Sequence, residues 1–129
     1  MSMETPLARV RGLGAAGAGG QHWWHERTTS AALFLLLVWL AVSLVRLPGL
    51  DYGTVREWLS QPVAAVPMLL LIVVTFQHIK HGLTVIIEDY VHDEGSKLFW
   101  LMVVNFAAVL AAALALFAVL KVALGAEAD

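Results

Sequence analysis

The chain has 129 residues, of which 60% are hydrophobic and only 14% charged, with a mean hydropathy of +0.77 and a net charge of −2. That apolar share exceeds the usual range for soluble domains, and so small a negative charge gives no electrostatic footprint for nucleic acid. Cysteine is absent, which excludes disulfides, iron–sulfur clusters and thiolate metal sites within the chain.

Residues 1–26 read as a polar, Gly-rich N-terminal arm that ends in an interfacial segment. Met1 to Gly20 holds no apolar central region of the kind a cleavable signal needs, so the first apolar span is expected to act as its own insertion signal. Gly12-Leu13-Gly14-Ala15-Ala16-Gly17 spells the dinucleotide pattern G-x-G-x-x-G. No strand precedes it and no βαβ unit follows, so chance in a Gly/Ala-rich stretch is the better account. Trp23 and Trp24, set among His22, His25, Glu26 and Arg27, have the composition of a membrane–water interface, where indole keeps one wet edge and one apolar face.

Three apolar spans follow, at about 28–46, 62–88 and 98–124, and a membrane crossing needs ~20 residues. The first is uncharged from Thr28 to Val45 and stops at Pro48-Gly49. A short polar connection, 46–61, leads to Pro62, which suits a first helical turn, while Pro67 further in is expected to bend the second span. Residues 89–97 make an acidic connection with Ser96 as the expected N-cap of span three. Asn105, the one strongly polar residue inside that span, is expected to hydrogen-bond between helices. The predicted fold is an all-α membrane protein, with residues 27–125 forming a three-helix transmembrane anchor. With the N-terminus cytoplasmic, that side holds Arg9, Arg11, Arg27, Lys80 and Lys97, and the other side holds Arg46, Arg56 and Lys121. The bias favours a cytoplasmic N-terminus and a C-terminus on the far side. No internal repeat is visible, which argues against duplicated transporter architectures.

His78 is the residue to explain, because an ionisable group inside a span is expensive and marks a ligand or ion site by default. Gly82, four residues on, shares its helix face and offers a patch without a side chain, suited to the edge of a flat macrocycle. Zinc needs three or four ligands, and no Cys or acidic residue lies one turn from His78; haem needs one or two axial ligands, so one histidine per helix suffices. His81, beside Lys80 and nearer the surface, is cast as a partner for an anion such as a haem propionate. For His22 and His25 the residues leave interfacial hydrogen bonding and a functional role evenly balanced. Asp89 and Tyr90 taken alone are interfacial anchors. On a helix with a haem-binding histidine they gain a second reading, in which the phenol donates a hydrogen bond to a quinone carbonyl and the carboxylate helps relay protons.

His78, Gly82 and Asp89-Tyr90 at the close of the second of three spans resemble the smaller haem-b membrane-anchor subunit of succinate dehydrogenase. Ile86-Ile87-Glu88-Asp89-Tyr90-Val91-His92, and Arg9 to Gly14 followed by Gly20-Gln21-His22-Trp23-Trp24 and Arg27, are similar to its alpha-proteobacterial branch. The layout matches over nearly the whole chain, whereas span three matches only as an apolar helix. The resemblance implies half of a heterodimeric anchor bundle in the bacterial inner membrane, with a periplasmic C-terminus. It implies that His78 is an axial ligand of haem b, the second coming from the larger cytochrome b anchor subunit. It makes Tyr90 the residue that hydrogen-bonds ubiquinone, with Asp89 its acidic neighbour. Arg27 falls where the family places an arginine near the haem propionates, and His22 lies close to a propionate-side histidine of some members; His81 has no family counterpart. FAD and iron–sulfur clusters belong to the partner flavoprotein and iron–sulfur subunits, so no catalysis is expected from this chain alone. Two rival readings stand beside this one: a stand-alone homodimeric b-type cytochrome, and a non-redox channel or assembly subunit using His78 and His81 as a proton-sensitive switch.

Overall fold

The computed structural model describes residues 5–11 and 19–125, and every regular element among them is helical. A short α1 (Pro6–Val10) precedes α2 (Gly19–Arg46), α3 (Tyr52–Ser60), α4 (Pro62–Tyr90) and α5 (Glu94–Leu124). Three stretches, Trp23–Arg46, Pro62–Tyr90 and Glu94–Leu124, are each long and apolar enough to cross a membrane, as expected. The glycine pattern at 12–17 lies outside the described residues.

Several boundaries differ from the sequence reading. Residues 19–26 are the first two turns of α2 rather than the end of an arm. Nothing from Gln21 to Leu47 breaks a helix. The hydroxyls that compete with helical bonding instead fold back onto it, Thr28 to the Trp24 carbonyl at 2.7 Å and Ser30 to the Glu26 carbonyl at 2.7 Å. The polar connection contains α3, which is too short and too polar for a hydropathy window to find. Asp51 caps it, accepting from the Thr54 amide at 3.1 Å and the Thr54 hydroxyl at 2.7 Å. Gly49 gives that carboxylate room, since a Cβ there would stand 2.9 Å from Asp51 Oδ1. Asp93, not Ser96, is the N-cap of α5, and its carboxylate accepts from the Ser96 amide at 2.8 Å. A carboxylate makes the same bond as a hydroxyl and also complements the positive end of the helix. Pro67 leaves α4 continuous; in the second turn it forfeits the one bond to the Val63 carbonyl.

Both caps carry a pH signature. The hydroxyl and amide of Thr54 hold Asp51 below the ordinary carboxylate value, and the amide and then the side chain of Ser96 do the same for Asp93. A depressed carboxylate contributes its stabilisation fully above the unfolded-state value and loses it as pH falls through the folded one. The first turns of α3 and α5 are therefore expected to keep their amide-exchange protection above pH ~5 and to fray in stronger acid. Protection measured at Thr54 and Ser96 that is indifferent to acid would contradict the capping roles.

α4 is the central helix. It packs against both α2 and α5, whose backbones do not approach each other among the described residues, while α3 packs on α4 and α5. The partly covered positions of α2 recur every three to four residues, through Thr29, Leu33, Leu36, Trp39, Leu40 and Ser43, as one helix face should. On α5 the partly covered side includes Ala108, Ala111, Ala112 and Ala115, small residues that let two helices approach closely. At one end of the bundle the Trp39 and Trp58 rings stack with centroids 5.9 Å apart, and Arg56 Nη2 donates to the Gly125 carbonyl at 2.7 Å. That bond ties α3 to the last carbonyls of α5, the end of a helix that favours a cation. The start of α2, the end of α4 and the start of α5 lie together at the other end.

Only Leu59, Ala64 and Leu71 are buried among the described residues, at 7%, 3% and 7% exposure. Val63, Phe34, Phe106 and Phe117 are 79%, 66%, 68% and 65% exposed. Such a surface is built for lipid and for other chains rather than for water. Asn105 does not form the expected interhelical bond: it is exposed and has no hydrogen bond to another described residue.

Candidate functional site

The site is built where α2 and α4 run antiparallel at the end that holds Glu94. His78 faces α2, and its Nδ1 lies 3.2 Å from Thr29 Oγ1. Thr29 is a residue that the sequence reading did not single out. Its single hydroxyl proton is directed at backbone carbonyls of its own helix, at 2.8 Å to His25 and 3.1 Å to Glu26. With that proton on one of these carbonyls, the oxygen accepts from the imidazole and the ring proton is on Nδ1. Nε2 then keeps its lone pair. This is the arrangement found at metal-binding histidines, where a bond at one nitrogen fixes the tautomer and aims the other.

One turn nearer the helix ends, His25 of α2 and His81 of α4 face each other with ring centroids 5.7 Å apart and planes inclined by 32°. Antiparallel register explains the pairing, because four residues back on α2 meet three residues on along α4. Beside them Glu26, His81, Gly82 and Val85 line a shallow pocket of about 160 Å³. Gly82 opens onto free space, and a Cβ there would meet nothing within 4 Å. The pocket is one wall of a site, too small to hold a macrocycle by itself.

The remaining sequence candidates are more dispersed. Arg27 is two residues before Thr29 and so about 200° around α2 from it. Its guanidinium lies over the Trp23 ring, 5.2 Å from the centroid. His22 belongs to the first turn of α2, but its side chain lies outside the described residues. Asp89 and Tyr90 close α4, both exposed and Tyr90 to 79%. Twelve residues separate Tyr90 from His78, ~18 Å along the axis. The structure thus unites His78 with Thr29 and His25 with His81, and leaves Arg27, Asp89 and Tyr90 apart from both pairs. No group of three or more His, Asp or Glu side chains fit for a metal ion occurs among the described residues. A threonine opposite a histidine can be found only once the helix register is known, since the two are 49 residues apart.

Three long apolar helices with almost no interior, and an imidazole aimed from the central one, define a multi-pass helical membrane subunit that is completed by other chains. The chain belongs to the succinate dehydrogenase/fumarate reductase transmembrane subunit family, whose model matches residues 1–122. It is a membrane-anchoring part of an oxidoreductase complex of that kind. It is similar to the succinate dehydrogenase hydrophobic membrane anchor subunit of Rickettsia bellii, 26% identical over 88 residues, covering 68% of this chain and 70% of the relative. The subunit of the same description from Rickettsia conorii is 29% identical over 89 residues, covering 68% and 71%. That from Rickettsia felis is 30% identical over 77 residues, covering 60% and 64%.

Proposed function

We propose that this chain anchors a succinate:ubiquinone oxidoreductase in the bacterial inner membrane, ligates haem b through His78 Nε2, and contributes Tyr90 and Asp89 to the site of ubiquinone reduction. The observation that carries this reading is the Thr29–His78 contact at 3.2 Å, which engages Nδ1 and leaves Nε2 open within a membrane span. The open ground at Gly82 and the incomplete pocket beside it suit a flat group shared with a second subunit. A histidine of the larger cytochrome b anchor subunit would supply the second ligand. Flavin and iron–sulfur clusters reside in the flavoprotein and iron–sulfur subunits, which dock on the cytoplasmic face. The N-terminus is cytoplasmic and the C-terminus periplasmic, following the Lys/Arg bias.

When bound, the haem supplies one-electron storage next to the quinone. This chain's residues hold and orient. Thr29 keeps the imidazole turned toward the iron. His81 and His22 serve the propionates, and Arg27 joins them by leaving the Trp23 ring. The Tyr90 phenol donates to a quinone carbonyl, and the Asp89 carboxylate passes protons in from the cytoplasmic side.

Co-purification from native membranes tests the reading, with an absorbance spectrum taken before and after dithionite. A b-type spectrum together with a flavoprotein is expected. A colourless complex would overturn haem ligation, and haem without flavoprotein would identify a stand-alone cytochrome. Replacing Thr29 with valine keeps the shape and removes the acceptor. Haem affinity is expected to fall about 10- to 100-fold, the usual weight of a group orienting a metal ligand. Haem titration into the variant complex measures it, and unchanged affinity would leave Thr29 a packing residue.

A further inference from the structure

The side of α4 turned away from this site carries a cation with no counter-charge among the described residues. Lys80 follows His78 by two residues and so stands about 200° around the helix from it. There it enters a crevice of about 130 Å³ between α4 and α5. Val73 and Phe76 of α4 and Ala108 and Ala112 of α5 form its walls, with Gln77 and Lys80 as its polar residues. Neither Gln77 nor Lys80 has a hydrogen bond or ion pair to another described residue. Asn105, equally unpaired, is one turn from Ala108 and Val109 on the same sector of α5, toward the end where Lys80 lies. A lysine in the last turns of a span carries its ammonium toward the cytoplasmic interface, where lipid phosphates lie.

The crevice itself selects what pairs with it. Its walls are apolar, which disfavours free inorganic phosphate. A space of about 130 Å³ admits a stretch of a single alkyl chain along its apolar walls, beside the one cation. We propose that this crevice binds one anionic phospholipid. An acyl chain lies along Val73, Ala108 and Ala112, and the phosphate is drawn to Lys80. The side-chain amides of Gln77 and Asn105 offer N–H donors to the ester carbonyls. Basic pockets between membrane helices bind acidic headgroups by the same combination of charge and apolar wall. The site is separate from the proposed haem and quinone positions. It lies across α4 from His78, and Tyr90 is ten residues further on, ~15 Å along the axis.

The complex carrying this chain is purified in mild detergent and exchanged into phosphatidylcholine vesicles containing a minority of phosphatidylglycerol. After re-extraction, bound lipid is counted by mass spectrometry against subunit content. One phosphatidylglycerol per chain is expected to be retained, and Lys80→Met is expected to lower that retention about tenfold, with phosphatidylcholine unaffected. Ala112→Leu fills the crevice while leaving the charge, and is expected to produce the same loss in an assembled complex. Equal retention of phosphatidylglycerol in both variants would overturn the site. So would a carbodiimide cross-link joining Lys80 to a carboxylate of another subunit, which assigns the counter-charge to protein.

Discussion

Replacing His78 with alanine is expected to abolish the b-type absorbance of the assembled complex while the chain stays inserted and assembled. The effect is large because the imidazole would be this chain's whole contribution to iron. Even a group one bond removed from the metal is worth 10- to 100-fold in affinity, so loss of the ligand exceeds ~100-fold. Assembly survives because the Thr29 hydroxyl keeps its bonds to the His25 and Glu26 carbonyls when its partner leaves. Alanine also fits the packing side of α4 without introducing a polar group. Free imidazole added to the variant separates ligand loss from structural damage: a ligand vacancy is refilled and colour returns, whereas a collapsed site is not. Full absorbance in His78→Ala without imidazole would put the iron on another side chain.

Tyr90→Phe is expected to depress ubiquinone reduction while succinate-dependent reduction of an artificial dye continues. The substitution removes one oxygen from a side chain that is 79% exposed at the end of α4, so the fold has little to lose. Loss of a neutral hydrogen bond corresponds to roughly tenfold, about 1.4 kcal/mol, whereas loss of a group that also donates the proton corresponds to about 10²- to 10⁴-fold. The size of the defect therefore reports which role the phenol has. Asp89→Asn provides the second measurement. If the carboxylate relays protons, its removal slows the same step without weakening quinone binding. A Tyr90→Phe complex with an unchanged quinone rate would remove the phenol from the site.

The three spans were legible because a run of ~20 apolar residues has few other fates. The short α3 was not, since its nine residues mix Tyr52, Arg56, Glu57 and Ser60 with the buried Leu59, and only packing on α4 and α5 makes that pattern a helix. Asp93 and Ser96 were both available as caps, and the choice between them was settled by backbone placement and charge at the helix end. His78 was conspicuous through the cost of its surroundings, a property of local sequence. Its partner Thr29, and the pairing of His25 with His81, depend on how two antiparallel helices slide past each other, which no local pattern encodes. Asn105 misled for a related reason, because polarity within a span says that a partner is needed without saying on which chain it lies.

The near-absence of an interior bears on how the subunit behaves before assembly. Each long helix satisfies its own backbone in the bilayer, so insertion does not wait for other chains. A surplus copy is then threaded through the membrane and locally ordered, yet it displays Lys80, Gln77, Asn105 and the His78 ring to whatever lipid or polypeptide diffuses by. Such an orphan keeps polar groups exposed within the hydrocarbon until matching subunits cover them, and that cost favours assembly.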